Sequence, residues 1–315
     1  MDQKPLLAIV GPTASGKTAL SVAMAKALSG EVVSCDSMQI YRRMDIGTAK
    51  PSVEERAGVP HYMLDVADPG EEYSVARYVE EAARAVEDIR SRGRLAVVAG
   101  GTGLYLEGLL AGRTFAARSE EERSVRDRLY EEAERLGLAA MHERLRRVDP
   151  KSADKLHIND KKRVLRALEV HALTGETISR HNEETAALPP KYPAVKIGLT
   201  TSDRTYLYRR IDERVDRMMA AGLEEEARAL YEGGLLRGTA GQAIGYKELV
   251  CYFTGACAKE EAVETIKRRS RQYAKRQLSW FRRDPEIRWF LLDDLEQFSS
   301  LLKDSINFVK SRVVE

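Results

Sequence analysis

The segment Gly11-Pro-Thr-Ala-Ser-Gly-Lys-Thr18 sets two glycines, a lysine and a hydroxyl at the spacing G-x-x-x-x-G-K-[ST]. That spacing builds an anion cradle. Glycines let backbone N–H groups turn inward, and a helix N-terminus behind them adds partial positive charge. Gly11, Pro12, Thr13, Ala14, Ser15, Gly16, Lys17 and Thr18 are therefore the expected phosphate-binding residues. Lys17 would reach the terminal phosphates, and Thr18 would offer its hydroxyl to Mg²⁺. A cradle alone leaves kinase, ATPase and other transferase chemistry open.

Asp36 closes the stretch from Glu31, which reads as a strand ending in a carboxylate. In open α/β sheets the ligand crevice lies at the carboxyl ends of strands, so Asp36 would face the cradle. It could equally cap the turn at Ser37. The most apolar stretch, Leu95 to Ala99, runs into Gly100-Gly-Thr-Gly103. A P-loop ATPase usually carries a magnesium-organising Asp at such a strand end. Here the position is glycine, which gives a substrate room, with Thr102 as a hydrogen-bond donor. That weakens ATP hydrolysis without excluding it, because Asp36 could supply the carboxylate.

Three further groups could meet a polyanion. Arg210, Arg214 and Arg217 share one face of a helix expected from Asp203 to Met219, suited to a pyrophosphate unless Asp212, Glu213 and Asp216 pair with them. Gly241-Gln-Ala-Ile-Gly-Tyr-Lys247 reads as a flexed turn with a polar, aromatic and basic display. Residues 267–283 hold eight basic residues, no acidic ones, and Tyr273, Trp280 and Phe281 between them. Backbone phosphates and stackable bases would suit that stripe. Leu278, Trp280 and Phe281 could also pack inward while the charges face out.

These groups need a frame. Leu6 to Val10 reads as a buried strand and Thr18 to Leu28 as the helix behind the cradle. Residues 61–66 suggest another strand, and His61 reads as a structural histidine. Ser74 to Arg92 has helical apolar spacing, with Ser74 as N-cap and Gly93 as stop. Asp45-Ile-Gly-Thr-Ala-Lys-Pro51 reads as a loop over the site. From about residue 114 to Pro190 the βα alternation gives way to charged helices: Glu120 to Leu136, Leu138 to Arg147 and Lys161 to Leu173. Val195 to Leu199 resumes the sheet, Leu223 to Tyr231 is helical, and Ile287 to Leu292 and residues 295–312 close the chain as strand and helix. The expected fold is α/β: a P-loop NTPase-like core with a central parallel sheet, interrupted by a helical insertion. The expected divisions are 1–114 and 192–315 for the core and 115–191 for the insertion.

At 315 residues, 43% hydrophobic and 32% charged, the composition suits a soluble globular protein with a sizeable core. The net charge of +2 means that attraction to nucleic acid must come from local clustering. Cys35, Cys251 and Cys257 form no C-x-x-C pair, so neither a disulfide framework nor a zinc site is indicated. No leader pattern and no apolar run near the roughly 20 residues of a membrane span is evident. A cytoplasmic monomer without membrane contact is the expectation.

Three functions compete: a transferase with a diphosphate donor and a nucleic-acid acceptor, a nucleoside or nucleotide kinase, and an ATP-driven P-loop protein. A small-molecule kinase has little use for the stripe at 267–283. A remodelling ATPase would carry the strand-end Asp.

Gly11-Pro-Thr-Ala-Ser-Gly-Lys-Thr18, Asp36-Ser-Met-Gln-Ile-Tyr41, Asp45-Ile-Gly-Thr-Ala-Lys-Pro51, Gly100-Gly-Thr102 and Lys275-Arg-Gln-Leu-Ser-Trp280 together closely resemble the bacterial tRNA dimethylallyltransferases, over essentially the whole chain. The cradle is shared with many families, and the next two segments are far more particular. A related branch prenylates free adenine nucleotides; the basic stripe favours the tRNA branch. Eukaryotic relatives add a zinc finger whose Cys/His spacing this chain lacks.

The resemblance implies transfer of a dimethylallyl group from dimethylallyl diphosphate to N6 of the adenosine just 3′ of the anticodon, with pyrophosphate leaving. It implies that the cradle, Arg214 and Mg²⁺ hold the diphosphate, that Asp36 is the general base, and that Thr102 contacts the diphosphate or the reacting nucleotide. The adenosine would flip into a channel through the core. For the anticodon stem-loop it points to Asp36, Ser37, Met38 and Gln39, to Thr102 and Arg126, and to Lys162, Arg163, Val164, Leu165 and Arg166. It points also to Gln242, Ala243, Ile244, Gly245, Tyr246 and Lys247, and to Lys275, Arg276, Gln277, Leu278, Ser279, Trp280, Phe281 and Arg282. The insertion would clamp the stem-loop.

Overall fold

The computed structural model describes residues 4–112, 120–293 and 297–313. It divides into two compact units, Met1–Thr114 with Lys191–Glu315, and Phe115–Pro190. The expected boundary at 114/115 lies outside the described residues.

The first unit begins with β1 (Leu6–Val10), α1 (Lys17–Ala27), β2 (Gly30–Ser34), α2 (Val53–Arg56), β3 (His61–Tyr62), α3 (Val75–Ser91), β4 (Leu95–Gly100) and α4 (Gly103–Ala111). The second unit holds α5 (Glu120–Leu136), α6 (Leu138–Val148), α7 (Pro150–Lys155), α8 (Lys161–Thr174) and α9 (Ile178–Ala187). The first unit resumes with β5 (Ala194–Thr200), α10 (Arg204–Ala220), α11 (Leu223–Glu232), a short 3₁₀ turn (Ala240–Gln242), α12 (Tyr246–Phe253), α13 (Lys259–Phe281), β6 (Arg288–Leu291) and α14 (Phe298–Val313).

The six strands form one parallel sheet in the order β3-β2-β4-β1-β5-β6. A parallel sheet covered on both faces needs strands apolar on both sides, and β1, Leu-Leu-Ala-Ile-Val, is buried throughout. Leu7, Ile9, Val32, Val97 and Ile197 pack with Leu20 and Met24 of α1 and Leu301 and Val309 of α14. Alternate residues Leu6, Ala8, Val10, Val33 and Val98 pack with Tyr78, Ala82, Val86 and Ile89 of α3 and Leu109 of α4. α3 starts where Ser74 Oγ accepts the Arg77 N–H at 3.2 Å, the N-cap expected from its type. β4 is third in the sheet order, beside β1, so the strand ends before the cradle and before Gly101 are neighbours.

Two expectations need correction. Residues 61–66 yield only a two-residue strand, because Met63 and Asp65 take left-handed φ of 63° and 56° and break the pleat. The turn expected through Lys247 ends earlier, because Tyr246 already opens α12.

The second unit is all helix in its described residues. Val125, Leu129, Met141, Leu145, Val164, Leu165 and Leu168 form its core. Helices α7 and α9 went unread in the sequence. Both depend on Asp149, which accepts Ser152 N–H at 3.1 Å, Ser152 Oγ–H at 2.7 Å, Ser179 N–H at 3.0 Å and Ser179 Oγ–H at 2.7 Å.

Candidate active site

Backbone crowding shapes the cradle first. Gly11 has φ +146°, and a Cβ there would sit 2.4 Å from the Leu199 carbonyl oxygen. Gly16 is left-handed, and α1 starts at the next residue. Ser15 is buried; its N–H donates to the Pro12 carbonyl at 3.4 Å and its hydroxyl has no protein partner.

Lys17 Nζ donates to the Pro12 carbonyl at 2.6 Å, which folds its side chain back over the loop. Arg214, on α10, donates to Thr13 Oγ1 at 3.3 Å. Burial lowers the Lys17 pKa to about 7; the Arg214 charge also lowers it and the Asp36 charge opposes both. Burial likewise lowers Arg214, again with Asp36 opposing. The mutual repulsion of Lys17 and Arg214 would be relieved by a multiply charged anionic ligand in the cavity that both line. Of the expected arginine row, Arg214 lines the same cavity as Lys17, and all three arginines line a second recess together with residues 14–19 of the cradle and α1.

Asp36 follows β2, and its Oδ1 accepts the Met38 N–H at 2.9 Å, an Asx turn that fixes the carboxylate. Thr102 Oγ1 accepts the Ser37 N–H at 3.1 Å and donates to Ser37 Oγ at 3.3 Å. Thr102 thus holds the turn that carries Asp36. Gln39 holds the next loop: it accepts from Ser34 Oγ at 3.0 Å and donates to the Thr48 and Ala49 carbonyls at 3.3 and 3.1 Å.

Asp36, Lys17, Thr13, Arg214, Tyr273 and Arg276 line one cavity of about 310 Å³. Gln242, Ala243, Ile244, Gly245 and Lys247 complete part of its wall, as do Ser37, Met38 and Gln39. His61 also lines it. Its Nδ1 must donate to the Val59 carbonyl at 2.8 Å, and burial lowers its pKa, so the ring is neutral. Among the described residues no group of three or more His, Cys, Asp or Glu side chains is set to hold a metal. Thr18 lines the same cavity as Lys17.

The glycines from the end of β4 onward have a second use besides the cavity, which Gly100 lines. They make room for the chain itself. A Cβ on Gly100 would lie 2.0 Å from the Cys35 carbonyl oxygen, one on Gly101 2.0 Å from Gln277 Nε2, and one on Gly103 2.3 Å from the Trp280 ring.

The basic stripe lies on α13 and the two residues after it, and three of its eight charges are paired with carboxylates. Lys267 pairs with Asp216 at 2.7 Å, Arg269 with Glu248 at 3.3 Å and Arg271 with Asp212 at 2.5 Å. Lys275, Arg276 and Arg282 are exposed, and Ser279 Oγ bonds back to the Lys275 carbonyl at 2.9 Å. Trp280 Nε1 donates to Glu107 at 2.8 Å, Leu278 packs against the cluster of Leu207 and Ile211, and Phe281 is buried.

Several residues expected at an RNA surface are interior, and those expectations are corrected. Tyr246 is fully buried because Gly47 lies against its ring and its hydroxyl donates to Glu226 at 2.6 Å. Phe281 is core, and Gln277 faces inward at 5% exposure. In the second unit Val164 and Leu165 are core, while Lys162 and Arg163 are exposed. Arg126 donates to Glu169 at 2.9 Å, and Arg166 pairs with the same carboxylate at 3.0 Å.

Glu226 went unread in the sequence. Its carboxylate accepts three successive backbone N–H groups, from Asp45 and Ile46 at 2.9 Å and Gly47 at 3.0 Å, besides the Tyr246 hydroxyl. Lys50 pins the other side of that loop, bonding the Tyr41 carbonyl at 2.8 Å, Asp45 at 2.5 Å and Asp65 at 2.6 Å. No local pattern announces Glu226. The inward Gln277 was available from spacing, since Ala274, Gln277 and Phe281 fall on one helical face.

Residues 39–284 match the family model described as IPP transferase, and residues 4–72 match that of isopentenyl transferase. The tRNA dimethylallyltransferase of Shouchella clausii is 48% identical across 94% of each chain. That of Halalkalibacterium halodurans is 45% identical across 99% of each. The crystal structure of the tRNA isopentenylpyrophosphate transferase from Bacillus halodurans superposes with a TM-score of 0.74 at 43% identity, covering 99% of this chain and 97% of that one. A eukaryotic dimethylallyltransferase captured acting on tRNA superposes with a TM-score of 0.83 at 31% identity, covering 98% of this chain and 80% of that one.

Proposed function

The chain belongs to the IPP transferase family of tRNA-modifying prenyltransferases, and from that premise we infer that it moves a dimethylallyl group from its diphosphate to N6 of the adenosine immediately 3′ of the anticodon, releasing pyrophosphate. It is a prenyltransferase. The observation that carries the residue assignment is that a carboxylate, Asp36, and two buried cations, Lys17 and Arg214, line one cavity beside a phosphate cradle.

Chemistry assigns the parts. Breaking the allylic C–O bond leaves negative charge on the diphosphate. Lys17, Arg214 and the N–H groups at the N-terminus of α1 would meet that charge as it forms, which is how preorganised donors lower a barrier. Thr18 Oγ1 would hold Mg²⁺, which when bound adds positive charge at the diphosphate oxygens. The exocyclic amine of adenine is a weak nucleophile because its lone pair is delocalised, so its proton must leave as the N–C bond forms. Asp36 accepts that proton as general base. Thr102 keeps Asp36 in place through the Ser37 turn rather than touching the diphosphate. Gly100 stands where a P-loop ATPase usually carries its magnesium-organising aspartate, in keeping with a diphosphate that leaves rather than fuels.

The target base reaches Asp36 extruded from its loop. Lys275, Arg276 and Arg282 on α13 and the wall from Gln242 to Lys247 meet the stem-loop. We read the first unit as a P-loop NTPase-like core and the second as its insertion, which uses Lys162, Arg163 and Arg166 against RNA phosphates. The enzyme acts as a cytoplasmic monomer.

The test is incubation with radiolabelled dimethylallyl diphosphate and three rival acceptors. Label in tRNA at the adenosine 3′ of the anticodon is expected. Label in AMP alone would favour the free-nucleotide branch, and phosphate transfer from ATP to a nucleoside would favour a kinase.

A further inference from the structure

One side chain of α13 reaches past the cavity wall and touches both halves of the catalytic apparatus. Gln277 Oε1 accepts the Thr13 N–H of the phosphate cradle at 2.9 Å, and its Nε2 donates to the Gly101 carbonyl at 3.0 Å. The amide is 5% exposed, so both bonds are shielded from water. Gly101 is followed by Thr102, whose hydroxyl holds the Ser37 turn behind Asp36. Two residues before Gln277 on the same helix are the exposed Lys275 and, next to it, Arg276. A buried amide satisfied at both ends costs the desolvation of its partners if it shifts, so α13 cannot move without taking the Thr13 N–H with it or leaving that N–H unpaired.

Resting on the assignment of α13 to RNA, we propose that Gln277 is a positioning residue that links the seating of RNA on α13 to the shape of the diphosphate cradle. Gln277 also lines the cavity that holds Asp36 and Lys17. RNA bound on the outer face of α13 fixes the helix, Gln277 transmits that to the Thr13 N–H, and the cradle closes on its anion with the ordering already done.

The geometry supplies a substitution that acts on the amide without altering α13. Gly101 has no positive φ to prevent alanine, and a Cβ there would meet Gln277 Nε2 at 2.0 Å and its Cδ at 3.2 Å, with the Gly11 carbonyl oxygen next at 3.8 Å. The side-chain end can swing away, so Gly101→Ala should fold and displace the amide. Gln277→Met removes both bonds at similar volume.

The experiment measures the affinity of Mg²⁺-pyrophosphate by calorimetry, with and without a saturating RNA anticodon hairpin. In the wild type the hairpin should tighten pyrophosphate at least about 5-fold, and in Gly101→Ala and Gln277→Met the gain should fall to about 2-fold or less. A wild type with no gain, or folded variants that keep it, overturns the proposal. Hydrogen exchange in the wild type is a separate arm: the Thr13 amide should exchange slowly, and more slowly with hairpin bound. An amide exchanging at the unprotected rate in both states also overturns it. Failure of either ligand to bind at all would instead count against the assignment of the site.

Discussion

Gly100 and Cys35 stand so close that a Cβ on the first would lie 2.0 Å from the carbonyl oxygen of the second. The Cys35 N–H also donates to the Ala99 carbonyl at 2.7 Å, so the ends of β2 and β4 are drawn together. A carboxylate therefore has no place at position 100. The site takes its acid–base group from the neighbouring strand instead, one residue past Cys35. The same contact that excludes a hydrolase-type aspartate puts Asp36 beside the cradle.

Removing that group should separate chemistry from binding. Asp36→Ala is expected to lower single-turnover prenyl transfer by about 10²-fold or more, the low end for loss of a general base, while hairpin affinity stays near wild type. Rapid-quench kinetics with labelled donor checks this, and unchanged turnover removes Asp36 from its role.

Lys17 should make donor binding depend on pH. Its pKa is about 7 in the free protein, so it is mostly neutral at higher pH. A bound diphosphate favours the charged form and raises that pKa, so binding above about pH 7 takes up a proton and weakens as pH rises, by at most about tenfold per unit. Calorimetry of pyrophosphate in buffers of different ionisation enthalpy should read uptake near one proton at about pH 8 and little at about pH 6, relative to Lys17→Met. Equal uptake in both proteins would assign the proton elsewhere.

Charge reversal on α13 should discriminate between its two ends. Lys275→Glu with Arg276→Glu should weaken hairpin binding and lower the slope of log affinity against log salt by roughly 1 to 2, the release of one counterion per lost phosphate contact. Reversing Arg271, already paired with Asp212, should cost stability more than salt slope. Binding isotherms at four salt concentrations, with melting curves, resolve the two.

Glu226 should hold the Asp45–Gly47 turn as a structural clamp on the cavity wall. Glu226→Ala strips one acceptor from three N–H groups and a tyrosine hydroxyl, and is expected to destabilise the fold by about 2 kcal/mol, as for hydrogen bonds to a charged group. Urea denaturation gives the magnitude. Exchange at the amides of residues 45–47 should accelerate, and amides there that remain protected would contradict the clamp.

The cradle, its strand and helix, and the central position of β4 were legible because their signals are local: glycine spacing and apolar runs that only a covered parallel sheet can use. The cavity wall was legible in part. Gln242 to Lys247 carried the right residues, yet Tyr246 reads as a display and is core, since only the missing side chain of Gly47 lets its ring in. The Gly100–Gly103 run looked like space for substrate and also makes room for Cys35, Gln277 and Trp280. Each of those contacts joins residues far apart in the chain, which no local pattern encodes. Glu226 was hidden for the same reason: three consecutive glutamates opening α11 look like an ordinary response to the helix dipole. Three of the α13 charges read as free because their partners, Asp212, Asp216 and Glu248, sit on other helices.

Lys17 and Arg214 face the cavity together, and that has a cost at the end of each cycle. Whatever eases departure of the pyrophosphate from carbon also retains the freed anion, because when it goes Lys17 must give up either its proton or its anionic partner. Turnover should then be paced by product escape: a fast first round of modified RNA, a slower steady rate, and relief when a pyrophosphatase is added.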